Sequence, residues 1–220
     1  MKTLYLILLA ISVFIFILLS YIALLLITSN AFALVHAPDQ YQKITDSRGR
    51  GPSEVSGIRN LREVIPGILY RSGANGDMKY GPLNDTSVIK LCKHGFDSYF
   101  YDYKRGADHN VLCGTNQTSV RIRPSLVSNK NVFEQLSAVY TAITKDTGPV
   151  LTGCDQGVHA SGFVSALSLI QFCGWTNKQA LDYWTLIAKG QDNHPKIKKA
   201  IMDFRPYDSL NVSNVRCFKP

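Results

Sequence analysis

From Leu4 to Ile27 the chain is almost wholly apolar and carries no charged residue. At about 1.5 Å per residue a helix over this stretch spans a hydrocarbon core of about 30 Å, and a helix is the conformation that satisfies its backbone there. The run has no polar face, which argues against a core helix of a globular domain. Its length fits an uncleaved anchor, whereas Ala31-Phe32-Ala33 offers a small-residue site at which a secretory signal would be cut. Residues 1–38 are thus expected to be a signal-anchor with one transmembrane helix, the alternative being secretion after cleavage. The pattern then turns polar, and residues 39–60, with Ser47 to Ser53 rich in Gly, Ser and Arg, read as a linker.

Residues 61–220 alternate between short apolar runs and helical periodicity. Pro66 to Gly73 reads as a turn feeding a short strand that ends at glycine. A helix follows from about Asp85, taken as its cap, to Lys93, with Val88, Ile89, Leu91 and Cys92 on one side and Gly95 as the stop. Phe96 to Tyr101 is strand-like, as are Val111–Cys113 and Ser119–Ile122. Val132, Leu136, Val139 and Ile143 recur at helical spacing before Gly148-Pro149 breaks the chain and Val150-Leu151-Thr152 forms an apolar strand. Helices are expected from about Ala160 to Phe172, from a Thr176 cap to near Gly190, and from Pro195 to about Phe204. This rhythm gives an α/β fold, a central parallel or mixed sheet flanked by helices.

Charge and cysteines sharpen this picture. The formal net charge is +8, and Lys2 is the only charged residue before Asp39. A basic residue ahead of the span favours a cytoplasmic N-terminus, so the basic domain is expected to be extracytoplasmic. Lys and Arg are scattered, with no aromatic-interleaved basic stripe, so nucleic acid is not an expected partner. The five cysteines are an odd number for an oxidising compartment. With Cys154 left free, the other four allow three pairings, of which Cys92–Cys113 and Cys173–Cys217 each bracket one half of the domain. In a reducing compartment all five would be buried small residues.

The segment that carries chemistry is Val150 to Gly162. A buried strand delivers Cys154 into a glycine-bearing turn that opens a helix. Such a turn aims main-chain N–H groups and a helix N-terminus at one point, which makes an anion site and favours the nucleophilic thiolate. A buried, inert cysteine in a strand–turn–helix is the bland alternative.

Val150 to Gly162 resembles the phosphate-binding loop of the cysteine-dependent tyrosine and dual-specificity phosphatases, in which cysteine, five residues, arginine, Ser/Thr and glycine follow a strand. Cys154, Gly157, Ser161 and Gly162 match in order and spacing, and Pro66 to Gly73 is similar to the segment that opens many such domains. The likeness covers about residues 60–205. It implies a phosphatase-like domain at 61–220, with Cys154, Asp155 and His159 as candidate catalytic residues. Gln156, Gly157, Val158, Ala160, Ser161, Gly162 and Arg71 are the candidate anion-binding residues.

The loop departs from that pattern. The arginine position is Ala160, and the histidine that commonly precedes the cysteine is Gly153. The family's arginine grips phosphate through paired charge-assisted hydrogen bonds. No aspartate occupies the expected acid loop, where Arg121 to Asn129 lies, leaving Asp102, Asp108 and Asp155 as acids and His159, Arg71, Arg121 and Arg123 as substitute groups. Three functions stay open: binding of a phosphorylated or other anionic ligand with weak or absent standard phosphatase activity; an atypical phosphatase using His159 or a distant arginine; or a thiol-redox or interaction module. No metal and no cofactor is expected, the membrane is a partner through the N-terminal helix, and the oligomeric state is left open.

Overall fold

The computed structural model describes residues 57–75, 80–103, 106–123, 128–188 and 191–218. The apolar run Leu4 to Ile27 and the rest of segments 1–38 and 39–56 lie outside them. Among the described residues no helix is long and apolar enough to cross a membrane.

Six strands form one mixed sheet: β1 (Arg62–Ile65), β2 (Leu69–Ser72), β3 (Ser98–Asp102), β4 (His109–Cys113), β5 (Asn116–Arg123) and β6 (Val150–Gly153). Their order is β1-β2-β6-β3-β5-β4. The inner neighbours β2–β6, β6–β3 and β3–β5 are parallel, while β1–β2 and β4–β5 are antiparallel hairpins at the two edges. The last strand in the chain is thus inserted at the middle of the sheet. Its residues are buried on both faces, as an apolar run in a parallel sheet requires.

Five helices cover the sheet: α1 (Asp85–Lys93), α2 (Asn129–Lys145), α3 (Ala160–Cys173), α4 (Asn177–Ala188) and α5 (Pro195–Asp203). Period-2 alternation along the strands divides the core in two. Leu69, Phe100 and Val150 face a layer built with residues of α2, α3, α4 and α5. Tyr70, Tyr99, Tyr101 and Leu151 face the other layer, with Val88 and Leu91 of α1. Every residue of α3 from Ala160 to Phe172 is buried, because the helix is sandwiched between sheet and neighbouring helices. Its Ser165 and Ser168 hydroxyls return to the carbonyls of Ser161 and Val164 at 2.7 and 2.9 Å, so burial leaves neither unpaired.

The termini of these elements follow the expected signals, with one change. Asn84, not Asp85, caps α1, its side chain accepting from the Ser87 N–H at 2.9 Å. Thr176 and Gln179 close a reciprocal capping box at α4, with the Gln179 N–H on the Thr176 hydroxyl at 3.2 Å and the Thr176 N–H on Gln179 at 2.8 Å. The hairpin strands β4 and β5 run longer than the apolar pattern shows, since their edge positions are polar and exposed. The disulfides are Cys92–Cys113 and Cys173–Cys217, and Cys154 is a free, buried thiol. The packed domain also reaches back into the stretch read as linker: Ile58 is buried and bridges to Asn75.

Candidate anion-binding site

Cys154 follows β6 at the carboxyl end of the parallel strands, where α3 begins six residues later. This is where an open α/β sheet places its ligands. The turn between them is fastened from behind. Cys154 N–H donates to Ser72 O at 3.1 Å, and Ala74 N–H to Asp155 O at 3.1 Å. Arg59 also donates to Asp155 O, the Asn60 amide donates to Gln156 O and Gly157 O at 3.2 and 3.1 Å, and Arg71 donates to Gly157 O.

These carbonyl bonds set the direction of the amides. A trans peptide unit points its C=O and its N–H to opposite sides, and the described chain has no cis bond. Fixing the carbonyls of residues 155, 156 and 157 on Arg59, Asn60 and Arg71 therefore turns the N–H groups of Gln156, Gly157 and Val158 to the other face. Among the described residues, no main-chain N–H from Asp155 to Ser161 donates to a main-chain carbonyl. Consecutive unsatisfied N–H groups leading into a helix N-terminus form an anion nest.

Gly157 makes the turn possible. Its φ is +70°, and a Cβ there would lie 2.5 Å from Gly73 N and 2.6 Å from Ser72 C. Only a residue without a side chain lets the loop backbone lie against β2.

Cys154 is only 4% exposed, and its Sγ lies 3.4 Å from the Ser161 hydroxyl. Thiol and hydroxyl thus meet beside the first turn of α3. Gly153, at the position of the resemblance's histidine, is matched to its surroundings, since a Cβ there would sit 2.8 Å from Tyr99 Cε2. The Tyr99 ring fills that volume and its hydroxyl accepts from Leu83 N–H at 3.1 Å. Burial raises the Tyr99 phenol pKa well above its ordinary value. Ala160 is buried at 1% exposure.

Asp155 turns away from the anion face. Its carboxylate accepts from Gly81 N–H at 2.8 Å and from the Tyr101 hydroxyl. Burial and that bond to Asp155 hold the Tyr101 phenol protonated, its pKa far above the ordinary range. Asp155 thereby ties the loop to the segment before α1. His159 also faces elsewhere: its Nε2 is 2.7 Å from Gln191 O and its ring lies 4.4 Å from that of His194. Burial, then the charge of His194, lowers its pKa despite the bond to Gln191.

The other candidates are engaged elsewhere. Asp102 is buried and accepts from Gln135 Nε2 at 2.6 Å and Thr152 Oγ1 at 2.9 Å, and burial pushes its pKa up to about 7 against the pull of those bonds. Asp108 and Glu134 grip Arg123, and Arg121 reaches Asp108 at 3.4 Å. The bond to Arg123 holds the Asp108 carboxyl below the usual carboxylate range. Residues 124–127, in the expected acid loop, lie outside the described residues.

No protein-family model matches this chain, and no curated protein matches it. Its similarity among solved structures is to tyrosine and dual-specificity phosphatases. One is the human tyrosine phosphatase-like serine/threonine/tyrosine-interacting protein, at 10% identity over 65% of this chain and 93% of that one, with a TM-score of 0.45. Another is the PTP-2 phosphatase of Cydia pomonella, at 14% identity over 64% and 88%, with a TM-score of 0.43. A third is TpbA of P. aeruginosa, at 20% identity over 67% and 98%, with a TM-score of 0.37.

Arg59, Asn60, Gly81, Tyr101 and Tyr183 all bear on the site yet were not among the sequence candidates. Tyr183 accepts from Arg71 Nε at 3.2 Å, although in the sequence it reads only as a core aromatic of the last helices. Arg59 and Asn60 fall in the polar stretch read as linker. Their signal is tertiary: partners almost a hundred residues apart meet because β6 inserts beside β2.

Proposed function

We propose that this chain is a membrane-tethered, extracytoplasmic protein that binds a phosphorylated or similar anionic ligand on the loop from Asp155 to Ser161, with weak or absent standard phosphatase activity. The observation that carries the reading is the set of main-chain N–H groups along that loop with no main-chain acceptor among the described residues. Those donors do not depend on the side chain at position 160, so anion binding survives an alanine there. Turnover does not, because charge building on a transferring phosphoryl group would lack its paired guanidinium donors. At about 1.5–3 kcal/mol per charge-assisted hydrogen bond, losing two costs on the order of 10²–10⁴ in rate. The position of the His159 ring, against Gln191 and His194, supports binding over a substitute acid on the loop. Two disulfides are in keeping with an oxidising, extracytoplasmic location.

The test compares the full-length chain with Ala160→Arg, Cys154→Ser and the double variant, in aryl phosphate hydrolysis and in phosphate binding. The unaltered chain is expected to bind phosphate and to hydrolyse the ester far more slowly than Ala160→Arg. The gain is expected to vanish in the double variant. Robust hydrolysis by the unaltered chain overturns the reading, and absence of anion binding in all four proteins replaces it with an interaction module. Membrane fractionation with N-terminal sequencing checks the tether: a mature chain lacking the first residues would make the segment a cleaved signal.

A further inference from the structure

A cavity lies on the carbonyl side of the same loop. It is a cleft of about 580 Å³ with Arg59, Arg62 and Arg71 on one wall and Leu186 and Ile187 of α4 on another, and Val158 of the loop between. Cys154 does not line it. We propose that this cleft is a separate binding site for an organic phosphate that carries an apolar group.

Three features point to such a ligand. Arg71 is 94% buried, at 6% exposure, and no carboxylate pairs with it among the described residues. A buried cation of this kind is stabilised by an anion brought to it. Its bonds to Tyr183 and to Gly157 O use Nε and one Nη, while a guanidinium has five N–H donors in a fork suited to phosphate. Next, Arg62 stands directly across the β1–β2 ladder from Arg71. Two cationic side chains across one ladder suit a doubly charged head better than a single carboxylate. Lastly, the facing wall is aliphatic, and Leu186 is 75% exposed at its rim, an apolar surface for the rest of the ligand. The lining described contains no aspartate or glutamate to exclude an anion.

The cleft and the nest share one wall, the loop backbone, with carbonyls on the cleft side and N–H groups on the other. The two sites can therefore be filled together.

The test is titration of the full-length chain in non-ionic detergent with phenylphosphonate and, separately, with inorganic phosphate. Two phenylphosphonate sites per chain are expected. Leu186→Asp, which adds a negative charge at the rim, is expected to weaken one of them about tenfold or more and to leave inorganic phosphate binding at the nest unchanged. Arg71→Met should weaken the same site. If that variant fails to fold, Leu186→Asp alone decides. A single phenylphosphonate site that persists unchanged in Leu186→Asp overturns the cleft proposal. A single site that is lost in Leu186→Asp, with no binding of inorganic phosphate, sustains the cleft and removes the nest instead.

Discussion

Arg71 and Arg123 leave parallel strands at the same end of one sheet, and their electrostatic settings are opposite. Arg123, at the last position of β5, has its charge consumed: Nη1 meets Asp108 at 2.7 Å, Nε meets Glu134 at 2.7 Å, and both carboxylates take a second bond. Its pKa is driven above the ordinary arginine value, first by Glu134 and then by Asp108. Arg71, one residue from the end of β2, meets a carbonyl and a phenol and no carboxylate among the described residues. Its charge stays in the site. The same side chain is thus a structural tie in one place and a source of positive potential in the other, and what decides is whether acids share its surroundings.

The largest effect is expected at the glycine that lets Arg71 grip the loop. Gly157→Ala puts a Cβ against main-chain atoms 2.5 and 2.6 Å away, at a φ of +70°. Backbone cannot step aside as a flexible side chain does, so a loss of about 3 kcal/mol or more is expected in urea unfolding. A loss below about 1 kcal/mol would mean that the loop is not pinned to β2.

Next comes Arg71→Met, which keeps the volume but removes the charged one of the two donors on the Gly157 carbonyl, leaving the Asn60 amide. About 2 kcal/mol of stability is expected to go, together with weaker phosphate binding at the nest as the loop loosens. Arg71→Lys should recover the charge without the two-directional bonding, and so only part of either loss. Full recovery by lysine would show that charge alone, and not the fork, holds the loop.

Arg123→Met should cost less, about 1 kcal/mol, since its partners are a third exposed and screened by water. It also changes the acid limb. The Asp108 carboxyl is held low by Arg123, so its contribution is present above the ordinary aspartate pKa and is lost as pH falls through the lowered value. Urea midpoints measured from pH 5 downwards should therefore fall less steeply in Arg123→Met than in the unaltered chain. Identical slopes would break the contrast between the two arginines.

Asp102, opposite Arg123 in the ladder, gives a pH effect of the other sign. Burial raises its pKa to about 7, so the folded state holds a proton that the unfolded chain releases above about 4. The sign is opposite to that of Asp108: stability from this group is greatest in acid and is lost as pH rises from about 4 to about 7. Asp102→Asn should remove that part of the pH dependence of unfolding, and a slope unchanged between pH 4 and 7 would show the carboxyl to be ionised in the fold.

Much of this molecule was legible along the chain. The two disulfides were one choice among three pairings, whereas the apolar strand at Val150, the helix stop at Gly95 and the Thr176 cap follow from local pattern, because helix periodicity, caps and turn residues act over a few positions. So does the loop itself, since strand, cysteine, glycine and helix start are contiguous. Neighbouring residues determine local conformation, while the direction of the loop's N–H groups is set by the distant Arg59, Asn60 and Arg71.

What surrounds the loop was decided by the tertiary structure. Whether an arginine is neutralised depends on acids brought near by strand order, and β2 meets β6 across some eighty residues of sequence. Asp155 and His159 sit beside the cysteine in sequence, yet their side chains are drawn to Tyr101 and Gly81, and to Gln191 and His194. Gly153 and Ala160 read as losses when set against a motif, whereas in the fold the Tyr99 ring occupies the space beside Gly153. Sequence spacing fixes the backbone over one or two turns. Charge compensation and side-chain volume are settled only by which distant segments pack together.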